Sequence, residues 1–481
     1  MTVDLQMVGI DLDPSSPTFS GPEYLEMLQD LQGNILQSHG RDFAQHLFLR
    51  FDTANLDAVR AWIRGPLAEM VTTALDHTQA VQARRAAAAE GNAAAVDGGL
   101  FTTFGLSAAG YAALGVAAVP DDPSFLRGAK HPDPAAPLGL NDPPVSAWEA
   151  GFQEEIHAVV LLADDHEETL TAAVAQLEQQ LAGVATVVAQ EDGAVLRNAQ
   201  GEPIEPFGFA DGVSQPLFMA TDIEKARLNG GLDRYDPSAP LGLVLLKDPG
   251  GGASGYGSYF VFRKLEQDVE GFHKQEAELQ QALPADAHPE LAGAYVVGRF
   301  RDGTPVVEQP VPGWTNEPLN FDYDADVDGL RCPFQAHIRK VNPRGDKLRQ
   351  FGLPPGEDRT RRIARRAVPF PIAGAATPAG TPVGLLFVCA QSSIVHQFEF
   401  IQAIWSNFTE FLRPGTGLDG LIGQAPEGTT PAPQEWPTDW GVAAGATVKA
   451  PFSGWVTLKG AEYFFLPSMS FLQGLPVPAA A

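Results

Sequence analysis

Residues 158–181, AVVLLADDHEETLTAAVAQLEQQL, change character partway along their length. The first part, AVVLLA at 158–163, is an apolar run of strand length, far shorter than a membrane-spanning segment. The second part, HEETLTAAVAQLEQQL at 166–181, mixes apolar residues with glutamate and glutamine and predicts a helix. The stretch therefore predicts a strand followed by a helix, which is the repeating unit of a mixed α and β fold.

The same alternation recurs in both halves of the chain. Further strands are predicted at HLFLRF (46–51), GSYFVFRKL (257–265), VGLLFVCAQ (383–391) and AEYFFLP (461–467). Further helices are predicted at DAVRAWIRGPL (57–67), EGFHKQEAELQQAL (270–283) and HQFEFIQAIWSNF (396–408). These units predict an α+β protein of two domains with similar build.

At 481 residues the chain is too long for one ordinary core, so its length predicts two or three domains, and the recurring units favour two. Residues 1–20 are polar and interrupted by prolines, and we predict that they form a flexible N-terminal arm. The first predicted domain spans residues 21–220, and the second spans residues 221–481.

The chain is acidic, because 32 basic and 59 acidic residues give a formal net charge of −27. Such a charge repels phosphate backbones and anionic lipids, so nucleic acid and membranes are not expected partners. Two cysteines cannot make a disulfide framework, and a cysteine-based zinc site is not expected. The first residues lack the pattern of a secretory signal, so we expect a cytoplasmic protein, with export or encapsulation by other means left open.

Two binding motifs are matched only in part. GGGASGYGSY (250–259) lacks the lysine and hydroxyl ending of a phosphate-binding loop, and it precedes a strand. DADVDG (324–329) opens like a calcium loop, but Gln335 occupies the twelfth position and Pro333 interrupts the exit helix. We interpret the acidic segment 322–329 as a solvated loop and leave calcium binding there open.

A single acid, Asp211, lies in the glycine- and aromatic-rich segment PFGFADGVSQP (206–216). Gly208 and Gly212 can adopt backbone angles that other residues resist, and the neighbouring phenylalanines would shield the acid from water. A shielded carboxylate needs a partner or a chemical role. The alternative is an ordinary Asx turn, in which the aspartate bonds the backbone two residues on.

Two other segments concentrate basic residues in this acidic chain. RCPFQAHIRKVNPRGD (331–346) places His337 among apolar neighbours and ahead of Arg344. The histidine is either a core residue or a metal ligand, and the bases that follow it would suit the carboxylates of an anionic cofactor. RTRRIARRAVPFP (359–371) holds five arginines within eight residues. It is either a solvated basic helix or a segment whose end is buried, as the apolar AVPFP after the arginines suggests.

These three segments carry a resemblance. PFGFADGVSQP contains the G-x-x-D-G pattern of dye-decolorising (DyP-type) haem peroxidases. CPFQAHIRKVNPR resembles the proximal-histidine segment of that family, and RRIARRAVPF resembles its distal-arginine segment. Similarity extends along most of the chain, for example at LQGNILQSHGRDFAQHLFLRF (31–51) and GLLFVCAQSSIVHQFEFIQ (384–402). The G-x-x-D-G pattern alone is common, but three such segments in the family's order are specific.

The resemblance implies two ferredoxin-like domains of the dimeric α+β barrel type, each an antiparallel sheet flanked by helices. It also implies one non-covalent haem b per chain, held mainly by the second domain. His337 is then the axial ligand of the haem iron, and Asp211 and Arg365 are catalytic residues on the opposite face of the haem.

The resemblance also orders the remaining candidates. Arg365 is preferred to Arg366 because it precedes the Pro–aromatic pair by four residues, as the arginine of the family does. Arg344 is predicted to pair with a haem propionate. Glu399 is predicted to be the carboxylate that bonds the second ring nitrogen of His337.

The implied activity is the reduction of hydrogen peroxide and the one-electron oxidation of phenolic or dye donors through a ferryl intermediate. Asp211 would act as a general acid–base on the peroxide, and Arg365 would supply a fixed positive charge. A non-catalytic haem carrier or sensor is the main alternative, since it needs His337 but not the other pair. Haem ligation by Cys332 and a non-haem enzyme are further alternatives, and the oligomeric state is left open.

Overall fold

The fold is organised around one large antiparallel sheet. The computed structural model describes residues 3–91, 98–132, 139–314, 319–354, 356–371, 380–443 and 445–475. Within these residues, ten strands form the large sheet and four more form two small pairs. In chain order the strands are β1 (Phe43–Phe51), β2 (Phe101–Leu106), β3 (Ala158–Asp164), β4 (Ala185–Ala194), β5 (Leu196–Arg197), β6 (Pro203–Ile204), β7 (Leu246–Lys247), β8 (Tyr256–Gln267), β9 (Ala364–Arg365), β10 (Val368–Phe370), β11 (Gly384–Gln391), β12 (Gln434–Pro437), β13 (Thr447–Ala450) and β14 (Val456–Leu466).

Helices connect these strands. They are α1 (Pro22–Asp30), α2 (Leu56–Trp62), α3 (Ala68–Met70), α4 (Ala74–Ala89), α5 (Ala108–Ala113), α6 (Pro123–Arg127), α7 (Ala150–Gln153), α8 (Glu167–Gln180), α9 (Ala220–Gly230), α10 (Val269–Gln281), α11 (Leu291–Val297), α12 (His337–Val341), α13 (Asp346–Phe351) and α14 (Met469–Gly474). None of the helices in the described ranges is long and apolar enough to cross a membrane.

The first four strands form one ferredoxin-like unit, in the spatial order β4-β1-β3-β2. Every residue of β3 is buried, in agreement with its apolar sequence, and β3 pairs with both β1 and β2. The helix α8 follows β3 and packs its buried Leu170, Val174 and Leu177 into the core on one face of the sheet. The strand and helix predicted for residues 158–181 are therefore confirmed.

The second unit repeats this arrangement, with the spatial order β14-β8-β11-β10. In each unit the fourth, first, third and second strands follow one another across the sheet, and all pairs are antiparallel. The two units join where Leu106 of β2 pairs with Phe465 of β14. The prediction of an α+β fold with two ferredoxin-like units is confirmed.

The sheet curls so that its end strands, β4 and β10, lie near each other. A Cβ atom on Gly193 of β4 would stand 2.5 Å from Cγ1 of Val368 in β10. Within the described residues no strand pairing bridges these two ends, so the sheet does not close into a barrel. The two faces of the sheet pack against different apolar clusters. Phe464 of β14 lies in one cluster, and the next residue, Phe465, lies in another. This alternation follows from the two-residue period of a strand.

Residues 3–20, within the segment predicted as a flexible arm, lie against the rest of the chain. The Ile10 N–H donates to the Phe218 carbonyl at 2.8 Å, and the Ala220 N–H donates to the Ile10 carbonyl at 3.0 Å. The Ile10 side chain is buried by this contact. The arm is therefore docked through backbone hydrogen bonds, and its flexibility stays a prediction.

A long insertion in the second unit supplies part of the functional site. Residues 282–363 lie between α10 and β9 and carry α11, α12 and α13. Residues of this insertion, such as Tyr295 and Val296, form a separate apolar cluster with Trp436. The predicted division between residues 220 and 221 falls between the strands of the two units, and it also stays a prediction.

The segment predicted as a helix at 396–408 is helical but wider than an α-helix. Ile394–Phe398 and Ile401–Ser406 form π-helical turns, in which hydrogen bonds span five residues. Such turns are concentrated at functional sites. In this chain, Phe398, Ile401 and Gln402 of the segment line a cavity.

Candidate active site

Four of the five predicted site residues line one cavity of about 250 Å³. They are Asp211, His337, Arg344 and Arg365. The loop 205–216 forms one wall, and the start of α12 forms another. Segments far apart in the sequence thus meet at one site, as the resemblance requires.

His337 begins α12, and a buried carboxylate holds its ring. The Nδ1 atom of His337 lies 3.0 Å from Oδ2 of Asp419, which is fully buried. Oδ1 of Asp419 accepts hydrogen bonds from the N–H groups of Leu421 and Ile422 at 2.8 and 3.0 Å. Burial raises the pKa of Asp419, but the imidazole and the two backbone donors lower it more, so its pKa lies below the usual value.

An ionised carboxylate only accepts, so Nδ1 of His337 carries the hydrogen and donates it. In the neutral tautomer with its hydrogen on Nδ1, the other ring nitrogen, Nε2, presents a lone pair. No residue in the described part of the chain forms a hydrogen bond with Nε2. This arrangement is typical of a metal-ligating histidine, whose second nitrogen is fixed by a carboxylate.

The prediction that Glu399 is the partner of His337 is wrong. Oε2 of Glu399 accepts from Ser124 Oγ at 2.6 Å, and Oε1 accepts from the Tyr463 hydroxyl at 2.9 Å. Phe398, Ile401 and Gln402 of the same helical segment line the cavity, whereas Glu399 points to Ser124 of α6 and Tyr463 of β14. Asp419 takes the predicted role, and its own segment, GLDG at 417–420, repeats the x-D-G pattern of the Asp211 loop.

Asp211 sits on a turn that depends on two glycines. Gly208 and Gly212 have φ angles of +92° and +72°, in the left-handed region that other residues avoid. Phe207 and Phe209 are buried, and Asp211 itself is half-buried. Its Oδ1 accepts the N–H of the next residue at 2.6 Å, rather than that of the residue two positions on as in an ordinary Asx turn.

Arg365, the last residue of β9, and Arg366, which follows it, point in different directions. Arg365 lines the cavity, and its Nη2 donates to the Ser214 carbonyl at 2.8 Å, three residues after Asp211. Arg366 is buried, and its Nε and Nη2 donate to the carbonyls of Asn34 and Ile35 at 2.7 and 2.6 Å. The alternation of side chains along an extended strand explains why only Arg365 lines the site.

Arg344 lies at a basic part of the cavity. Its Nη1 donates to the carbonyls of Leu319 and Phe321 at 2.6 and 2.7 Å. Its guanidinium lies 3.9 Å from the ring centre of Tyr235, which also lines the cavity. Burial lowers the pKa of Arg344, and the nearby tyrosine opposes this effect.

The cavity is basic although the chain is acidic. Among the described residues that line it, five are arginines and two are carboxylic acids, namely Arg263, Arg299, Arg344, Arg362, Arg365, Glu205 and Asp211. Arg263, Arg299 and Glu205 cannot be predicted as site residues from the sequence, because nothing in their local sequences distinguishes them. The net charge of a chain does not predict the charge of its pocket, and in this protein the chain is acidic whereas the cavity is basic.

The acidic loop 322–329 is less solvated than predicted. Asp326 is buried, and its Oδ2 lies 2.8 Å from Nη1 of the buried Arg339. Asp324 pairs with Arg349. Within the described ranges, no cluster of three or more acidic, histidine or cysteine side chains is placed to hold a metal ion. Arginines thus neutralise two of the aspartates that the motif would offer to calcium.

The sequence matches one family model. The model is described as the DyP dimeric alpha+beta barrel domain, and it matches residues 30–197, which include β1 to β4. The chain is 41% identical to the multifunctional dye peroxidase DyP2 of Amycolatopsis sp., over 94% of this chain and 97% of that protein. It is 30% identical to the dye-decolorizing peroxidase msp1 of Mycetinis scorodonius, over 93% of this chain and 87% of that protein.

Solved structures give the same result. The crystal structure of a DyP-type peroxidase from Anabaena sp. superposes with a TM-score of 0.88 at 41% identity, covering 98% of this chain and 99% of that one. The structure of DyP2 from Amycolatopsis sp. superposes with a TM-score of 0.86 at 40% identity, covering 98% and 100%. The predicted peroxidase activity is confirmed over the carrier or sensor alternative. The chain belongs to the dye-decolorising (DyP-type) peroxidase family and is a peroxidase.

Proposed function

We propose that this peroxidase binds one non-covalent haem b per chain with His337 as the axial ligand, and that it uses hydrogen peroxide to oxidise phenols or dyes. DyP-type peroxidases are haem enzymes. The observation that carries the proposal is that the carboxylate-held His337 lines the same cavity as Asp211 and Arg365. A haem carrier would need the histidine but not the acid and the arginine.

The residues of the cavity fit a haem. Nε2 of His337 is available as a ligand, and the ionised Asp419 makes that nitrogen more basic. Arg344, Arg299 and Arg362 line the cavity and suit the two propionates, because guanidinium groups bind carboxylates strongly. Apolar side chains that suit the porphyrin include Leu265, Val341, Leu385, Phe387, Ile401 and Leu421.

A haem bound here supplies an iron centre that reacts with peroxide and takes electrons from donors one at a time. The side chains of the protein manage the proton and the charge. Oδ1 of Asp211 accepts the Gly212 N–H, so Oδ2 is the oxygen that takes a proton from peroxide and returns it to the departing water. Arg365 cannot lose its own proton, and it stabilises the negative charge that develops as the O–O bond breaks.

The names of the relatives support the choice of donors. DyP2 of Amycolatopsis sp. is named a multifunctional dye peroxidase, and the protein of Mycetinis scorodonius is named a dye-decolorizing peroxidase. We propose dyes and small phenols as donors for this chain as well.

A visible spectrum and a steady-state assay test the proposal. Protein supplied with haem is expected to show a Soret band, and His337→Ala is expected to lose or shift it. His396→Ala is the matched control, since His396 is exposed and outside the cavity. Turnover of hydrogen peroxide with a phenolic donor is expected in the wild type and not in His337→Ala. A wild-type protein without a Soret band would overturn haem binding, and a Soret band without turnover would overturn the proposed reaction.

A further inference from the structure

Glu205, the residue before PFGF, makes three hydrogen bonds at the base of the Asp211 loop. Its Oε1 accepts the Phe209 N–H at 2.9 Å. Its Oε2 accepts the Phe207 N–H at 3.0 Å and the Nε2 hydrogen of Gln267 at 2.8 Å. Glu205 is half-buried and lines the cavity together with Asp211. Neither sequence analysis nor the proposed reaction assigns it a role.

The contacts require a carboxylate at this position. Both oxygens face N–H donors, and only an ionised acid offers two acceptor oxygens without a hydrogen. An amide would place an NH₂ group against a donor, and a protonated acid would do the same with its hydroxyl. Two charge-assisted backbone contacts of this kind hold a turn more firmly than neutral ones.

The surrounding backbone makes Glu205 the centre of a closed turn. The Glu205 N–H donates to the Phe209 carbonyl at 3.0 Å, and the Asp211 N–H donates to the Pro203 carbonyl at 3.1 Å. Backbone hydrogen bonds therefore join the two ends of the loop that contains the Glu205 side chain. Loss of its carboxylate would first change the backbone conformation between Phe207 and Asp211.

Gln267 links this loop to the sheet. It is the last residue of β8, it is buried, and its N–H donates to the Val383 carbonyl at 2.8 Å. The contact between its Nε2 and Glu205 is thus made from a rigid strand. Through this contact the position of the Asp211 loop is set relative to β8, which also contributes Arg263 and Leu265 to the cavity.

The charge of Asp211 affects the pKa of Glu205, in keeping with their positions in one loop. Burial raises the pKa of Glu205, the hydrogen bonds from Phe207, Phe209 and Gln267 lower it, and the charge of Asp211 raises it further. The net pKa lies above the usual value for glutamate. Keeping a carboxylate here costs free energy, and the three donated hydrogen bonds offset part of that cost.

We propose that Glu205 is a positioning residue for Asp211, whose carboxylate it places relative to the sheet by holding the Phe207 and Phe209 amides and the Gln267 side chain. The inference rests on the proposed role of Asp211 in moving the peroxide proton. A displacement of about 1 Å at a reacting group can slow a reaction by as much as ~10²-fold, so the anchor matters for rate as well as for structure.

Glu205→Gln tests the anchor with almost no change in size. Hydrogen–deuterium exchange at the amides of residues 207 and 209 is expected to accelerate by about 10-fold or more, in protein with and without haem, because one of two acceptor oxygens is lost. The rate constant for reaction with hydrogen peroxide is expected to fall by about 10-fold or more, with the KM for the phenolic donor unchanged. Glu202→Gln, three residues upstream, exposed and outside the cavity, is the matched control and is expected to change neither.

The double variant Glu205→Gln/Gln267→Glu separates the two parts of the anchor. It restores an amide–carboxylate pair but leaves residue 205 with one acceptor oxygen for two backbone donors, so it is expected to remain slow. Full rescue by the double variant would overturn the role of the backbone contacts. Glu205→Asp keeps the charge one methylene further back and replaces Glu205→Gln if that variant does not fold; it is expected to accelerate exchange and slow the reaction.

Comparison of Asp211→Asn with Glu205→Gln distinguishes a failure of the proposed role of Asp211 from a failure of the proposed role of Glu205. If Asp211→Asn reacts with peroxide at the wild-type rate, the proposed role of Asp211 fails, whatever Glu205 does. If Asp211→Asn is slow and Glu205→Gln is not, only the positioning role of Glu205 is overturned. If exchange at residues 207 and 209 is unchanged in Glu205→Gln, the anchor itself is overturned.

Discussion

The two sides of the cavity are built in different ways. On the His337 side, α12 continues into Arg339 and Lys340, which are both completely buried and bonded to several partners. On the Asp211 side, the acid lies on a half-buried turn, and Gly212 beside it is exposed. One side therefore resembles the interior of a domain, and the other resembles a surface loop.

This difference matches the tasks that we propose for the two sides. A metal ligand must keep one position, so buried and fully paired groups around His337 suit it. A group that exchanges protons with peroxide and water must be reachable, so a loop suits Asp211. Substitutions on the His337 side should therefore change stability most, and substitutions on the Asp211 side should change rates most.

Arg339→Met is expected to have the largest effect. The guanidinium of Arg339 lies 2.8 Å from Oδ2 of Asp326 and 2.7 Å from Oδ2 of Asp346, and all three side chains are buried. Its removal leaves the buried Asp326 without this cation and leaves Asp346 with only the partly exposed Arg349, so the free energy of unfolding should fall by about 3–5 kcal/mol. Arg227→Met, which removes an exposed pair with Glu224, should cost less than about 1 kcal/mol. Urea unfolding of both variants measures the contrast, and equal losses would contradict it.

Asp211→Asn should have a large effect on rate and a small effect on stability. We expect the reaction with hydrogen peroxide to slow by roughly 10²-fold, because the asparagine cannot take the proton. The free energy of unfolding should change by less than about 1 kcal/mol, since Asp211 is half-buried and, among the described residues, its carboxylate accepts a hydrogen bond only from the adjacent Gly212 N–H. Stopped-flow kinetics and urea unfolding test both parts, with the exposed Asp192→Asn as the control for loss of charge. A large loss of stability without a change in rate would place Asp211 among the structural residues.

Most of the fold and four of the five predicted site residues could be placed from the sequence, because their signals are local. An apolar run such as residues 158–163 marks a strand without knowledge of its partners. Likewise Asp211, His337 and Arg365 each lie in a contiguous segment, and the three segments together, in the family's order, are specific. The structure adds the fact that one cavity brings the three segments together.

The missed residues act through contacts that are distant in sequence. Asp419 bonds His337 from 82 residues away, and Gln267 bonds Glu205 from 62 residues away. The prediction for Glu399 is wrong because the position of a carboxylate within a predicted helix does not show which face of that helix it occupies. The x-D-G pattern shared by Asp419 and Asp211 does not identify Asp419, because the same pattern occurs at Asp192, Asp302 and Asp328.

The His337 side should also respond to pH through Lys340. Its Nζ donates to the carbonyls of Ser406, Phe408 and Gly417 at 3.3, 3.0 and 2.7 Å. Burial lowers the pKa of Lys340 from 10.5 to about 7, against the opposing effect of Asp419. Between these two values the unfolded chain binds more protons than the folded chain, so stability should rise with pH, by at most about 1.4 kcal/mol per pH unit.

Lys340→Met isolates this contribution. The stability of the wild type relative to Lys340→Met should increase from about pH 7 to about pH 9, because the cost of burying the ammonium is fully present below the folded pKa and is relieved above it. Urea unfolding at three pH values in this range measures the difference between the two proteins. Parallel pH profiles would show that Lys340 keeps its charge in the folded state throughout the range.

Gly212→Ala should have the smallest effect on the free energy of unfolding. It measures the cost of a positive φ angle in the Asp211 turn. Gly212 has a φ of +72°, and a Cβ atom there would meet no atom within 4 Å, so the cost is the backbone conformation alone. That cost is about 1 kcal/mol in the free energy of unfolding. Gly474→Ala is the matched control, because a Cβ atom at Gly474, the exposed last residue of α14, would also meet open space but its φ is not positive, and it should be neutral or slightly stabilising. Because alanine keeps the N–H that Asp211 accepts, a loss approaching that of Arg339→Met would mean that the turn supports the domain as α12 does.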